Sequence, residues 1–219
     1  MQKHDAGATM AKLLDAAAQL FDNKGYFNVS IKEIGLTAGC NSALISYYFG
    51  SKQKLYQAVV LRQLEFLQQV KKTVSAMGLS PLEKIKQYFL RILESQLDPH
   101  VHVNILYQEI LHPSGLITEE PWQRIFQLEE YVHDLLEKAL TSGQLRPPKK
   151  GQDYRYIPFI LTSVTEMLFL LRDRLTPITP ENRPKAQVLL EIIEFVLAPY
   201  LPKGVRTKTW TRKHHREEE

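Results

Sequence analysis

Apolar residues in this chain recur every three or four positions from one end to the other, and that habit permits a set of amphipathic helices and little else. Met10, Leu13, Leu14, Ala17, Leu20 and Phe21 form one stripe, ended by Gly25. Ser30-Ile31-Lys32-Glu33 has the capping-box spacing, in which a hydroxyl and a carboxylate satisfy orphan backbone donors, so a second, short helix starts there. It runs through Ile34 and Leu36 to a turn at Gly39. Asn41 caps a third helix with Leu44, Ile45, Tyr48 and Phe49 facing inward. Gly50 ends it, and Ser51 caps a fourth over about 52–74 that carries Leu55, Val59, Leu64, Leu67 and Val70. The run Met77-Gly78-Leu79-Ser80-Pro81, with Glu83 completing a second capping box, opens a new unit near residue 80. Punctuation by Pro and Gly then predicts helices over about 81–97, 100–111, 121–142, 153–174 and 184–201. The expected fold is all-α, with about nine helices.

Composition narrows the setting. The longest unbroken apolar stretch is Met167–Leu171, far short of the roughly 20 residues that span a bilayer, and the opening Met1-Gln2-Lys3-His4-Asp5 has no apolar signal region, so a cytoplasmic protein is expected. Cys40 is the single cysteine, which suits a reducing compartment and a small buried hydrophobe at the turn. The net charge of +4 is unevenly placed: residues 1–55 carry +2, 203–219 carry +3, and 56–202 carry −1. A basic terminal region on a neutral body fits an anionic polymer as partner.

The second and third helices, joined by the Gly39 turn and preceded by a longer helix, have the order of a helix-turn-helix. The outward face of the third shows Ser42, Ala43, Ser46 and Tyr47 in place of the usual Lys/Glu mixture. Small residues admit close approach to a groove, and hydroxyls bond base edges or phosphates. Lys52 and Lys54 add positive charge beside it. The run Ala38-Gly39-Cys40-Asn41 through Tyr47-Tyr48-Phe49-Gly50-Ser51-Lys52, after a first helix ending Phe21-Asp22-Asn23-Lys24-Gly25-Tyr26, resembles the TetR family of bacterial transcriptional regulators over roughly residues 9–58.

That resemblance implies an all-helical homodimer. A DNA-binding domain would occupy residues 1–55, a linking helix 56–79, and a ligand-binding and dimerisation domain 80–202; the charged composition of residues 203–219 by itself predicts a disordered basic tail. It also implies that Ser42, Ala43 and Ser46 approach bases, while Ser30, Tyr47, Tyr48 and Lys52 hold phosphates. Two departures from the family pattern stand out: Ser46 where Tyr is frequent, and Gly35 where Ala is usual.

The apolar segment 155–174 and the last helix together suggest a two-fold four-helix bundle, with Val164, Leu168, Leu171, Leu189, Ile192, Ile193 and Val196 as dimer-interface candidates. Effector-pocket candidates are Phe89, Tyr107, Glu109, Trp122, Phe126 and Tyr131, aromatic or polar groups at inward helical spacing. His100 and His102, two apart, point to different faces of a helix and with His112 make no metal set; no GxG occurs, and no nucleophile, base or carboxylate pair asks for catalysis. The expectation is a non-enzymatic, cofactor-free regulator, a repressor by default, which binds a palindromic operator in double-stranded DNA as a homodimer. A small-molecule effector would release it, and it would be nucleoid-associated when bound. The rivals are an all-α carrier or enzyme with a structural helix-turn-helix, and a scaffold that dimerises without DNA.

Overall fold

A computed structural model describes residues 2–96, 101–102, 104–149, 153–170 and 183–204. Leu171, His100 and the basic tail beyond Gly204 lie outside the described residues. Among those described there are nine α-helices and no strand: α1 (Gln2–Lys24), α2 (Ile31–Thr37), α3 (Ala43–Phe49), α4 (Lys52–Ser75), α5 (Pro81–Gln96), α6 (Asn104–Leu111), α7 (Glu119–Thr141), α8 (Ile157–Leu170) and α9 (Lys185–Leu197). Short 3₁₀ turns occupy Tyr26–Asn28, Tyr154–Tyr156 and Ala198–Tyr200. The all-α class and the order of elements agree with the periodicity. No described helix is long and apolar enough to cross a membrane.

The described residues form two compact units, one from 1–69 with 98–127 and the other from 70–97 with 128–219. The first has a core of Leu13, Ala17, Phe21, Ile34, Ile45, Leu55, Val59 and Leu64, joined by Ile105 and Leu106 of α6. Helix α6 therefore shares a core with α1–α4, although it follows the break near residue 80. Gln53 and Gln57 of α4 donate to the Leu116 carbonyl at 3.2 and 2.6 Å, and Asn104 donates to the Asp22 carboxylate at 3.2 Å. Of the expected α1 stripe, Leu13, Ala17 and Phe21 are fully buried, whereas Met10 is exposed.

In the second unit α5, α8 and α9 are mutual neighbours. Ile85, Phe89 and Leu93 of α5, Leu161 of α8, and Leu189 and Ile193 of α9 are all buried there. The Ser80/Glu83 capping box forms in both directions: the Ser80 N–H donates to the Glu83 carboxylate at 3.0 Å, and the Glu83 N–H to the Ser80 hydroxyl at 3.4 Å. Lys86 of α5 pairs with Glu194 of α9 at 2.6 Å, and Arg146 donates to the Pro199 and Tyr200 carbonyls, fastening the end of α9.

Candidate nucleic-acid interface

Helix α2 begins as the sequence predicts, with the Ser30 hydroxyl accepting from the Glu33 N–H at 3.1 Å. Glu33 also pairs with Lys24 at 2.5 Å, tying α2 to the end of α1. That ammonium, together with a backbone bond from Ser30, holds the Glu33 carboxyl below its usual range. Gly39 turns the chain at φ +63, a left-handed conformation costly for any residue with a Cβ. The Asn41 side chain then accepts from the Ala43 N–H at 2.9 Å, starting α3.

Gly35 has a reason to lack a side chain. A Cβ there would stand 3.0 Å from the Cys40 carbonyl and from both Cα and Cβ of Ser42. The turn and the start of α3 therefore close down on α2 at this point. The Gly costs about 1 kcal/mol in helix propensity and allows a closer turn than Ala would.

Helix α3 is pinned by Ile45, which is fully buried, with Leu44, Tyr48 and Phe49 half-buried around it. Its other face is open: Ala43 and Ser46 are exposed, and Tyr47 is 79% exposed. Tyr47 and Tyr48 meet edge to face at 5.0 Å, so one ring lies on the surface while the other enters the core. Ser42 sits half-buried just before α3, against Gly35. Ser30 is exposed.

The lysines differ in how free they are. Lys32 and Lys54 are exposed. Lys52 is turned inward: its Nζ donates to the Tyr26 carbonyl at 2.6 Å and lies 4.1 Å from the centre of the Tyr26 ring. Nothing in the linear order announces this contact, because the partners are 26 residues apart. Two apolar side chains are also left in water, Leu36 at 85% and Phe27 at 75% exposure.

Family resemblance can be judged against this geometry. The family profile described as "Bacterial regulatory proteins, tetR family" matches residues 13–59, the span from the buried end of α1 to the first turns of α4. Residues 13–59 therefore carry a segment of tetR-family type. The chain is 30% identical over 134 residues to the probable HTH-type transcriptional regulator YttP of Bacillus subtilis, covering 59% of this chain and 63% of that protein. It is 25% identical over 148 residues to the HTH-type transcriptional regulator SrpR of Pseudomonas putida, covering 64% of this chain and 65% of that one. The match thus spans just under two thirds of either relative. Among solved structures, a gamma-butyrolactone receptor (ArpA-like protein) superposes with a TM-score of 0.73 at 18% identity, over 91% of both chains, which is a likeness of fold.

The effector candidates fall in different compact units. Tyr107, Glu109, Trp122 and Phe126 belong to the first, and Phe89 and Tyr131 to the second. Glu109 is 3% exposed and is spoken for: one carboxylate oxygen accepts from the Tyr56 hydroxyl at 2.5 Å and the other from the Ser114 N–H at 3.1 Å. Burial and that carboxylate push the Tyr56 hydroxyl well above the usual phenol range. Beside the pair lies a cleft of about 550 Å³, lined in part by Tyr26, Phe27, Gln108 and His112. Tyr107 and Trp122 are half-buried and Phe126 is exposed. In the second unit Phe89 and Tyr131 are buried, each 5.3 Å from the Tyr88 ring, and the Tyr131 hydroxyl has no partner among the described residues.

Of the dimer candidates, Leu168, Leu189 and Ile193 are buried inside the second unit, while Val164, Ile192 and Val196 are half-buried. The strongly exposed apolar groups are their neighbours: Phe159, Ile160 and Met167 on α8, and Phe195 on α9. Helical spacing alone left both faces of these two helices eligible, because both are apolar.

Proposed function

We propose that this chain is a ligand-responsive, DNA-binding transcriptional regulator that acts as a homodimer on a palindromic operator. The observation that carries the reading is α3, held by fully buried Ile45 on one side while it offers Ala43, Ser46 and the 79% exposed Tyr47 on the other. A helix so anchored, bare of long charged side chains on its free face, can enter a major groove. In this reading Ser42, Ala43 and Ser46 meet base edges. Ser30, Tyr47, Tyr48 and exposed Lys54 meet phosphates. The names of YttP and SrpR, both HTH-type transcriptional regulators, support the assignment.

Dimerisation would use the apolar face of α8 and α9 that carries Ile160, Met167 and Phe195. Two copies then set two α3 helices about 34 Å apart, one turn of the duplex, which calls for a palindrome. An effector held by the remainder of the chain would change that separation, and needs only different affinities for the two states. A dimer seated on a promoter blocks transcription, so repression is the default output.

Selection of duplexes from a random pool, followed by gel shift at two salt concentrations, tests the reading. A selected palindrome, bound in preference to random DNA with an affinity that falls as salt rises, is the expected result. Equal, weak binding to every duplex would refute it and favour a carrier with a structural helix-turn-helix.

A further inference from the structure

Tyr26 and Lys52 bracket the helix-turn-helix: α2, the Gly39 turn and α3 all lie between them in the chain. Their side-by-side placement closes that segment at both ends. The 2.6 Å bond from the Lys52 ammonium to the Tyr26 carbonyl is charge-assisted, and the same ammonium rests 4.1 Å from the centre of the Tyr26 ring. The ring is held from behind, 5.8 Å from Phe21 and 5.0 Å from Tyr56, which themselves meet edge to face at 5.1 Å. Phe21 and Tyr56 are both core residues of this unit. Gly25 turns the chain just before Tyr26 at φ +73. Withdrawal from water lowers the Lys52 pKa.

We propose that Lys52 is a positioning residue for base readout: it clamps the start of α4 to the corner after α1 and so sets where Ser42, Ala43 and Ser46 stand on the duplex. This rests on the DNA-binding reading above. An ammonium already bonded inside the protein adds little to the release of counterions from DNA, and that part falls to exposed lysines such as Lys54.

The two roles leave different marks. Loss of a phosphate ligand weakens binding to every duplex alike and reduces the salt slope by about one. Loss of a positioning group harms the selected duplex more than a random one and leaves the slope alone. With the palindrome selected by the wild-type chain and a random duplex of equal length as probes, Lys52→Met should lower affinity for the palindrome about tenfold more than for random DNA, at unchanged slope; the scale is that of about one mismatched base pair. Tyr26→Leu, which removes the ring and keeps the carbonyl, should do so to a smaller extent, and the double variant should be no worse than Lys52→Met alone. Lys54→Ala should lower the slope by about one and affect both duplexes equally. Equal losses on both duplexes for Lys52→Met, with a slope reduced by about one, would overturn the proposal.

Should Lys52→Met fail to fold, NMR of the wild-type chain decides. A ring-current-shifted Lys52 Cε–H signal that persists when the palindrome is added supports the clamp. Its loss on binding would mean that the ammonium leaves Tyr26 for the DNA, and overturns it. A wild-type chain that selects no duplex would refute the regulator reading and the positioning role together, while the signal in the free protein would still report the contact itself.

Discussion

At the scale of single residues, buried or half-buried polar groups matter most, because each must find a partner or change its charge state. Glu109 finds two, the Tyr56 hydroxyl and the Ser114 N–H. Glu166 on α8 finds none of that kind among the described residues: burial first, and then the nearby Glu129, push its pKa up to about 7. Its unfolded value is near 4.5. The folded chain therefore holds a proton that the unfolded chain has released, and this contribution to stability is complete below about pH 4.5 and lost as the pH rises to about 7. Above that, the native state carries an ill-solvated carboxylate. Glu166→Gln should accordingly be more stable than wild type at pH 8, by about 2 kcal/mol, with the gap closing toward pH 5. Urea unfolding at both pH values measures it, and a gap independent of pH would contradict the assignment.

At the scale of elements, short helices survive here only through their ends and their neighbours. Helices α2 and α3 are seven residues each, too short to persist in isolation. The first relies on its Ser30 cap, on Lys24 at Glu33, and on buried Ile34; the second relies on Asn41 and Ile45. Ser30 has both the capping task and a proposed phosphate contact, and two substitutions separate them. Ser30→Ala should cost about 1 kcal/mol of stability through loss of the cap. Ser30→Asp should retain the cap and the melting temperature, yet weaken DNA binding most at low salt, where like charges repel over the longest range. Thermal melts with gel shifts at two salt concentrations would show it. A Ser30→Asp variant with unimpaired DNA affinity would remove Ser30 from the phosphates.

For the whole molecule, the decisive question is which apolar surface stays uncovered. Leu189 and Ile193 are fully buried within the second unit, whereas Phe195 on the same helix is 78% exposed. Phe195 and Phe159, with Ile160 and Met167, are the exposed apolar groups of α8 and α9 on which the proposed dimer interface rests. Phe195→Glu should convert a dimer to a monomer at micromolar concentration, seen by light scattering, with the helical circular dichroism retained. Leu189→Glu should instead cost several kcal/mol and the fold with it, because its carboxylate would be buried without a partner. A Phe195→Glu variant that stays dimeric would place the interface elsewhere.

Much of this was legible in the linear order. Period, caps and glycines located α2–α4 and the end of α1 within a few residues, since those signals are local and each acts within one helical turn, whereas α1 starts at Gln2, eight residues before the first apolar residue of its stripe. The helix-turn-helix and its free face follow from the same information: a period of 3.6 assigns Ile45 to one side and Ser46 with Tyr47 to the other. Contacts between distant residues were beyond it. That Lys52 lies on Tyr26, that Glu109 accepts from Tyr56, and that α6 joins the core of α1–α4 are matters of how helices meet in space. The same holds for α8 and α9, where apolar residues surround the axis and only their neighbours decide that Leu189 is core and Phe195 is surface. The sequence by itself determined the helices and the chemistry on each face, because both depend on neighbours one turn away; the tertiary structure alone decided which faces and charges remain free to bind, because burial depends on residues far apart in the chain.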